Sequence, residues 1–167
     1  MNLIVSADNN WGIGCNNELL YRIPADMKFF KQMTIDKIVI MGRNTMLSLP
    51  NLKPLKNRVN IVVTSKKDLK VEGFIFCSNV EEVLNYIKKF KDDEIFIIGG
   101  ECVYKEFLPY CKYAYVTRVN ASKKADKFFP NLDQLKNWKL VDKSEPQNCE
   151  GVEYYYCKYN NVEVNKG

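Results

Sequence analysis

Asp26 is a carboxylate among unlike neighbours: it follows Ile23-Pro24-Ala25 and leads into Met27-Lys28-Phe29-Phe30-Lys31-Gln32-Met33. Proline suits the first helical position, where its missing N–H has no intrahelical partner to lose, so Pro24 is expected to start a helix with Asp26 in the first turn. Phe30 and Met33 lie four and seven residues beyond Asp26. They share its helix face, so the carboxylate accompanies side chains expected to enter the core. Two kinds of chemistry fit. A negative charge in the first turn complements the helix N-terminus, worth a few tenths to ~1 kcal/mol. A carboxylate on the wall of an apolar pocket would instead have its pKa tuned by desolvation and would bind a ligand N–H strongly.

Composition narrows the reactions that such a carboxylate could serve. The chain has no histidine, which excludes Ser-His-Asp and Cys-His catalysis and histidine-ligated zinc. Chemistry must therefore come from carboxylates, tyrosines, lysines, backbone groups or a cofactor. The six cysteines, Cys15, Cys77, Cys102, Cys111, Cys149 and Cys157, form no C-x-x-C pair, so they are expected as buried thiols and no metal site is expected. The net charge is +5, with lysines spread along the chain, a balance that attracts an anionic small molecule. No helix-turn-helix or aromatic-and-basic RNA-binding motif is found, and nucleic acid is not an expected partner. The N-terminus carries no basic leader, and no apolar run approaches the ~20 residues needed to cross a bilayer. A cytoplasmic protein away from membranes is expected.

The elements that must position Asp26 follow from the order of apolar runs. At 167 residues the chain suits a single domain that buries ~70% of its unfolded surface. Residues 3–7 form an apolar run expected as a strand buried on both faces. Residues 8–21, with Gly12-Ile13-Gly14 and paired asparagines, are expected as a flexible loop serving as a lid. The Asp26 helix spans 25–33. Residues 37–41 are a second strand, opening at Gly42 into a short helix over 43–48, and 59–64 are a third strand after a Pro-, Asn- and Lys-rich loop. Residues 74–77 are a fourth, followed by a helix capped by Asn79 with Glu82 three residues on, the pattern of a capping box. Residues 94–98 form a fifth strand, and Gly99-Gly100 then leads into a helix stopped by Pro109. A strand, a glycine turn and a helix start can present backbone N–H groups to phosphate, although a plain turn has the same residues. After Pro109 come three strand-like runs, 113–119, 138–143 and 153–159, with no helix between them. The expected fold is α/β: one domain over residues 1–167 with a mixed, mostly parallel sheet of about eight strands, an antiparallel C-terminal portion and about four helices on both faces.

Taken together, Ile13-Gly14, Ile23-Pro24-Ala25-Asp26, Val39-Ile40-Met41-Gly42-Arg43-Asn44-Thr45, Arg58, Thr64-Ser65, Ile97-Ile98-Gly99-Gly100, Val103-Tyr104, Tyr115-Val116-Thr117 and Phe129-Pro130 resemble the bacterial dihydrofolate reductases in order and spacing across nearly the whole chain. The resemblance implies reduction of 7,8-dihydrofolate to tetrahydrofolate with NADPH, in a monomer open to antifolate inhibitors. It assigns Asp26 to the pterin's amino group and ring N–H, with Thr117 behind it, and places Tyr21 beside them as the third catalytic candidate. Ile4 and Ile98 would offer backbone carbonyls to the pterin, while Val5, Met27, Phe30, Lys31, Leu49 and Leu55 line its slot. Arg58 matches the arginine that holds the glutamate α-carboxylate, a task suited to its planar fork. The cofactor stretches are Ser6 and Ala7; Ile13, Gly14, Asn17, Glu18 and Leu19; Gly42, Arg43, Asn44 and Thr45; Thr64, Ser65 and Lys66; and Ile98, Gly99, Gly100, Glu101, Cys102, Val103 and Tyr104. A cis Gly99-Gly100 peptide is implied as well.

The chain departs from the family in its lid, where Tyr21 stands for the usual tryptophan and Leu20 for a common proline, and at Glu101-Cys102, where glycine and a basic residue are frequent. The nearest rival is a riboflavin-pathway type of NADPH-dependent reductase with the same fold; Asp26 and Arg58 argue against it. A non-catalytic nucleotide- or RNA-binding protein is the rival from another class. It would bind NADPH or RNA without oxidising the cofactor in the presence of dihydrofolate.

Overall fold

Apolar runs without polar alternation become strands covered on both faces, and they build the middle of the sheet. The computed structural model describes residues 1–68 and 70–165; the expected domain also takes in Leu69, Lys166 and Gly167, which lie outside the described residues. In chain order the strands are β1 (Asn2–Ala7), β2 (Gly12–Cys15), β3 (Glu18–Leu19), β4 (Ile38–Gly42), β5 (Val59–Val63), β6 (Phe74–Cys77), β7 (Ile95–Gly99), β8 (Tyr113–Val119), β9 (Lys127–Phe128), β10 (Trp138–Lys143), β11 (Gln147–Cys149) and β12 (Val152–Asn161). The helices are α1 (Pro24–Thr34), α2 (Arg43–Ser48), α3 (Val80–Tyr86) and α4 (Glu101–Phe107).

Eight strands run in the order β10-β12-β8-β1-β7-β4-β5-β6, with β11 pairing only to β12. The pairs from β8 to β6 are parallel, whereas β12 is antiparallel to β8 and β10 to β12. This is the mixed sheet with an antiparallel C-terminal portion that the strand-only tail implied. In β4, Ile38 and Ile40 join the cluster that includes Val83, Val103 and Phe107 of α3 and α4. Val39 and Met41 join the opposite cluster with Met46, Val62 and Phe74. Apolar residues are therefore needed at every position. At α3, Asn79 Oδ1 accepts from Glu82 N at 2.9 Å and Glu82 Oε2 accepts from Ser78 N at 2.7 Å. The return bond lands one residue before the cap, a variant of the expected box.

Two expectations are corrected. The stretch 8–21 is not a bare loop: β2 and β3 pair within it, and β9 pairs with β2 to make a second sheet in the order β3-β2-β9. Its turn is made possible by Asn16 and Asn17, both in the left-handed region at φ 52° and 63°, which asparagine tolerates better than most residues. Phe30 and Met33 do not enter the core. Both are only half-buried, and Thr34 is the fully buried residue of α1. The helix rests on the sheet through Phe29, whose ring centroid is 4.6 Å from that of Tyr156, while Met27 stays 52% exposed. Met33 lines a surface hollow with Asn2, Lys37 and Phe96. No described helix is long and apolar enough to cross a membrane.

Candidate active site

The candidate site lies at the C-terminal ends of β1, β7 and β4, adjacent strands of the sheet. Ile4 and Val5 lie in β1, followed by Ser6 and Ala7 at its end; Ser6 is in register with Thr117 of β8. Across from them, α1 brings Asp26 over the sheet. Thr117 donates its hydroxyl to Asp26 Oδ1 at 2.6 Å. Asp26 is half-buried, and burial pushes its carboxyl above the ordinary range, an effect the Thr117 hydrogen bond partly offsets. Burial disfavours the charged form and a donor favours it. One carboxylate oxygen is thus held, leaving Oδ2 with no hydrogen-bond partner among the described residues.

This pair yields a prediction. In Thr117→Val the Asp26 carboxyl should titrate at a higher pH than in the parent, because the charged form loses its donor, and Thr117→Ser should bring the titration back. Carbon NMR of the Asp26 carboxyl measures this directly. A titration unmoved by the valine would detach Thr117 from the site.

Sequence reasoning missed Tyr156. It lies in register with Thr117 on the neighbouring strand, and its hydroxyl is pushed up to about 12, first by burial and then by the Asp26 charge. Finding it required the β8–β12 register, which no local pattern provides. Tyr104 is buried and donates to the Ile4 carbonyl at 2.7 Å, so that carbonyl keeps one lone pair for any ligand. Leu49, Leu55 and Ile98 pack partly buried around the Val39 and Met41 cluster. Lys31 is exposed on α1.

Arg58 ties the loop before β5 to the end of α1. Its Nε donates to the Lys56 carbonyl at 2.9 Å and Nη1 to Thr34 Oγ1 at 3.0 Å. The Thr34 hydroxyl in turn donates to the Phe30 carbonyl at 2.8 Å. The guanidinium is half-buried, and burial lowers its pKa. Two of its nitrogens are fixed on the protein, and Nη2 has no partner among the described residues.

The other half of the candidate site is backbone-rich. The Gly99-Gly100 peptide is cis, as expected, and Gly99 has φ 131°, a conformation that favours glycine. A Cβ at Gly42 would come within 2.9 Å of Val103 Cγ2, and one at Gly100 within 3.6 Å of Thr45 Oγ1. The starts of α2 and α4 therefore approach each other without intervening side chains. They leave backbone N–H groups with no intrahelical partner, suited to anionic oxygens. Asn44 and Thr45 sit in the first turn of α2, and Cys102, Val103 and Tyr104 follow Glu101 in α4. Arg43 Nη2 lies 3.3 Å from Asp68 Oδ2. Thr64, Ser65 and Lys66 follow β5, with Lys66 N donating to Thr64 Oγ1 at 3.1 Å.

The β3-β2-β9 sheet reaches this half where Phe128 N donates to Glu101 Oε2 at 2.7 Å. Ile13 and Gly14 lie in β2, Asn17 in the turn, and Glu18 and Leu19 in β3, which is exposed. Asp126 N donates to the Gly14 carbonyl, and Asp126 Oδ2 accepts from Asn16 N at 3.0 Å. Lys123 Nζ donates to the Leu20 carbonyl at 2.9 Å and lies 4.4 Å from the Tyr21 ring centre. The Tyr21 hydroxyl is buried with no partner among the described residues. Asp126 and Lys123 were not foreseen, since their roles depend on the pairing of β9 with β2. Among the described residues no cluster of His, Cys, Asp and Glu could hold a metal ion.

Comparisons with known proteins bear on this arrangement. Residues 1–161 match the family model described as dihydrofolate reductase. The dihydrofolate reductase of Bacillus subtilis is 35% identical over 156 residues, covering 93% of this chain and 90% of that protein. The Haemophilus influenzae enzyme is 34% identical over 157 residues, covering 94% of each. Among solved structures, dihydrofolate reductase from Enterococcus faecalis complexed with NADP(H) and RAB-propyl superposes with a TM-score of 0.85 at 33% identity, covering 96% of this chain and 95% of that one.

Proposed function

The chain belongs to the dihydrofolate reductase family, and from that premise we propose that Asp26, Thr117 and Arg58 receive dihydrofolate while the starts of α2 and α4 receive NADPH. The activity is the NADPH-dependent reduction of dihydrofolate to tetrahydrofolate. The observation that carries the residue assignment is the Asp26 carboxylate, half-buried with one oxygen held by Thr117 at 2.6 Å and the other without a hydrogen-bond partner among the described residues. Asp26 Oδ2 accepts from the pterin's amino group and ring N–H, and the Ile4 and Ile98 carbonyls accept at its edge. Val5, Met27, Phe30, Leu49 and Leu55 line the ring and the segment beyond it, and the exposed stem of Lys31 borders the opening. Arg58 holds the glutamate α-carboxylate.

The backbone groups at Gly42, Gly99 and Gly100, with no Cβ in the way, fit the phosphates of NADPH, as do the cations Arg43 and Lys66. The bound cofactor supplies a hydride to C6 of the substrate. The protein's own part is to orient the pterin, stabilise the form protonated at N5, and exclude bulk water with the β3-β2-β9 sheet. Asp26 is the acid matched to the pocket and lies across the ring from N5, so water admitted under the lid beside Tyr21 delivers the proton. Antifolates compete for the same slot, and the protein works as a monomer in the cytoplasm.

Arg43, Ser65 and Lys66 can surround a 2′-phosphate with charge-assisted hydrogen bonds, each worth ~1.5 to 3 kcal/mol. A preference for NADPH over NADH of at least tenfold in kcat/KM is expected, since ~1.4 kcal/mol is tenfold. Steady-state rates with the two cofactors measure it, and equal efficiencies would remove these three residues from the cofactor site.

A further inference from the structure

Glu101 opens α4 immediately after the Gly99-Gly100 turn, where a carboxylate would repel the phosphates assigned to that turn. Both of its oxygens are engaged outside the turn. Oε2 accepts from the backbone N–H of Phe128 at 2.7 Å, across 27 residues of chain, and Oε1 accepts from Lys105 Nζ at 3.2 Å one turn along the helix. The side chain is only 23% exposed. Hydrogen bonding from Phe128 and the nearby Lys105 and Lys127 hold its carboxyl below the usual range.

Phe128 belongs to β9, the edge strand of the small sheet. The Asp126 and Phe129 N–H groups turn inward, to the Gly14 and Trp11 carbonyls. The Phe128 N–H turns outward, and an edge N–H of this kind would ordinarily be left to water. Glu101 takes it. Since Gly12 and Gly14 of β2 pair with Phe128 and Lys127 of β9, the carboxylate is a strut between the cofactor turn and the sheet that carries Ile13 and Gly14.

We propose that Glu101 is a positioning residue that latches the β3-β2-β9 sheet to the start of α4, so that closure of the lid and retention of the cofactor are coupled through one charge-assisted hydrogen bond. Lys105 orients the carboxylate by occupying its second oxygen. The proposal rests on the placement of NADPH at this turn. It extends that placement by giving the lid a point of attachment independent of Asp126 and Lys123. Breaking the latch lets the sheet open more often and the cofactor leave sooner. The dihydrofolate end, at Asp26 and Arg58, keeps its contacts.

The test uses hydrogen exchange on the parent and stopped-flow release of NADPH from the parent, Glu101→Ala and Glu101→Gln. In the parent, the Phe128 amide should be protected although it lies on an edge strand. In Glu101→Ala, exchange at Phe128 and in β2, together with NADPH release, should each quicken about tenfold, the scale of one hydrogen bond to a charged group. Glu101→Gln retains an acceptor and should fall between parent and alanine. Dihydrofolate binding to the cofactor-free enzyme should be the same in all three. An unprotected Phe128 amide in the parent overturns the latch, as does NADPH release unchanged in Glu101→Ala or a parallel weakening of both ligands. If the parent itself failed to bind NADPH, the cofactor placement would fall, while Phe128 protection would still report the latch.

Discussion

Asp26→Asn is expected to bind NADPH and fold as the parent does, but to lose about a hundred- to thousandfold in hydride transfer at neutral pH, the range typical when one preorganised electrostatic contact is removed. Hydride addition at C6 requires a proton on the adjacent N5, and with no histidine in the chain the proposed assignment has the Asp26 charge stabilise that proton. Asparagine keeps the shape and can still accept from Thr117, but it carries no charge. Activity should recover as the pH falls, because dihydrofolate then arrives protonated from solution. Stability separates this effect from misfolding. The folded-state pKa of Asp26 is raised, so its contribution to stability is present below the ordinary carboxylate range and is lost as pH rises through the raised value. The asparagine variant should therefore melt no lower than the parent at neutral pH. Single-turnover rates across pH and a thermal melt measure both. Parental turnover at neutral pH, or a loss accompanied by unfolding, would withdraw the catalytic role from this carboxylate.

Arg58→Leu should weaken dihydrofolate binding by about 2 to 5 kcal/mol, the usual consequence of removing one partner of a desolvated charge pair, and leave NADPH binding close to parental. The guanidinium is oriented beforehand by the Lys56 carbonyl and Thr34 hydroxyl, so little side-chain freedom is lost when a carboxylate binds. Arg58→Lys should fall between the two, because a point charge cannot reproduce the planar fork. Binding titrations with each ligand separately decide the matter. An Arg58→Leu variant that bound dihydrofolate as the parent does would reduce Arg58 to a tie between α1 and the loop before β5.

Much of this was legible locally. Strands β4, β6, β8 and β10 and the helix starts at Pro24, Arg43 and Val80 follow from apolar runs, proline at the first helical turn and an asparagine cap. Asp26 was conspicuous because a carboxylate shared a face with aromatic and aliphatic side chains. Phe30 and Met33 are nevertheless only half-buried where core residues were expected, and Met33 lines a surface hollow with Asn2 and Phe96 at the opposite end of β1 from Ser6 and Ala7. Periodicity identifies an apolar face and says nothing of whether protein or ligand covers it. The lid was harder. β2, β3 and β9 are short strands of two or four residues, and their pairing joins parts of the chain more than a hundred residues apart. The contacts of Glu101, Lys123 and Asp126 exist only once that pairing is made. Tyr156 behind Asp26 was hidden for the same reason, since register between β8 and β12 is a tertiary property.

The most direct measurement of the central claim is the absorbance of NADPH followed with purified, folded protein in the presence and absence of dihydrofolate. A decline that requires dihydrofolate, matched mole for mole by tetrahydrofolate, is the predicted result. Binding of NADPH without any decline when dihydrofolate is added would contradict it.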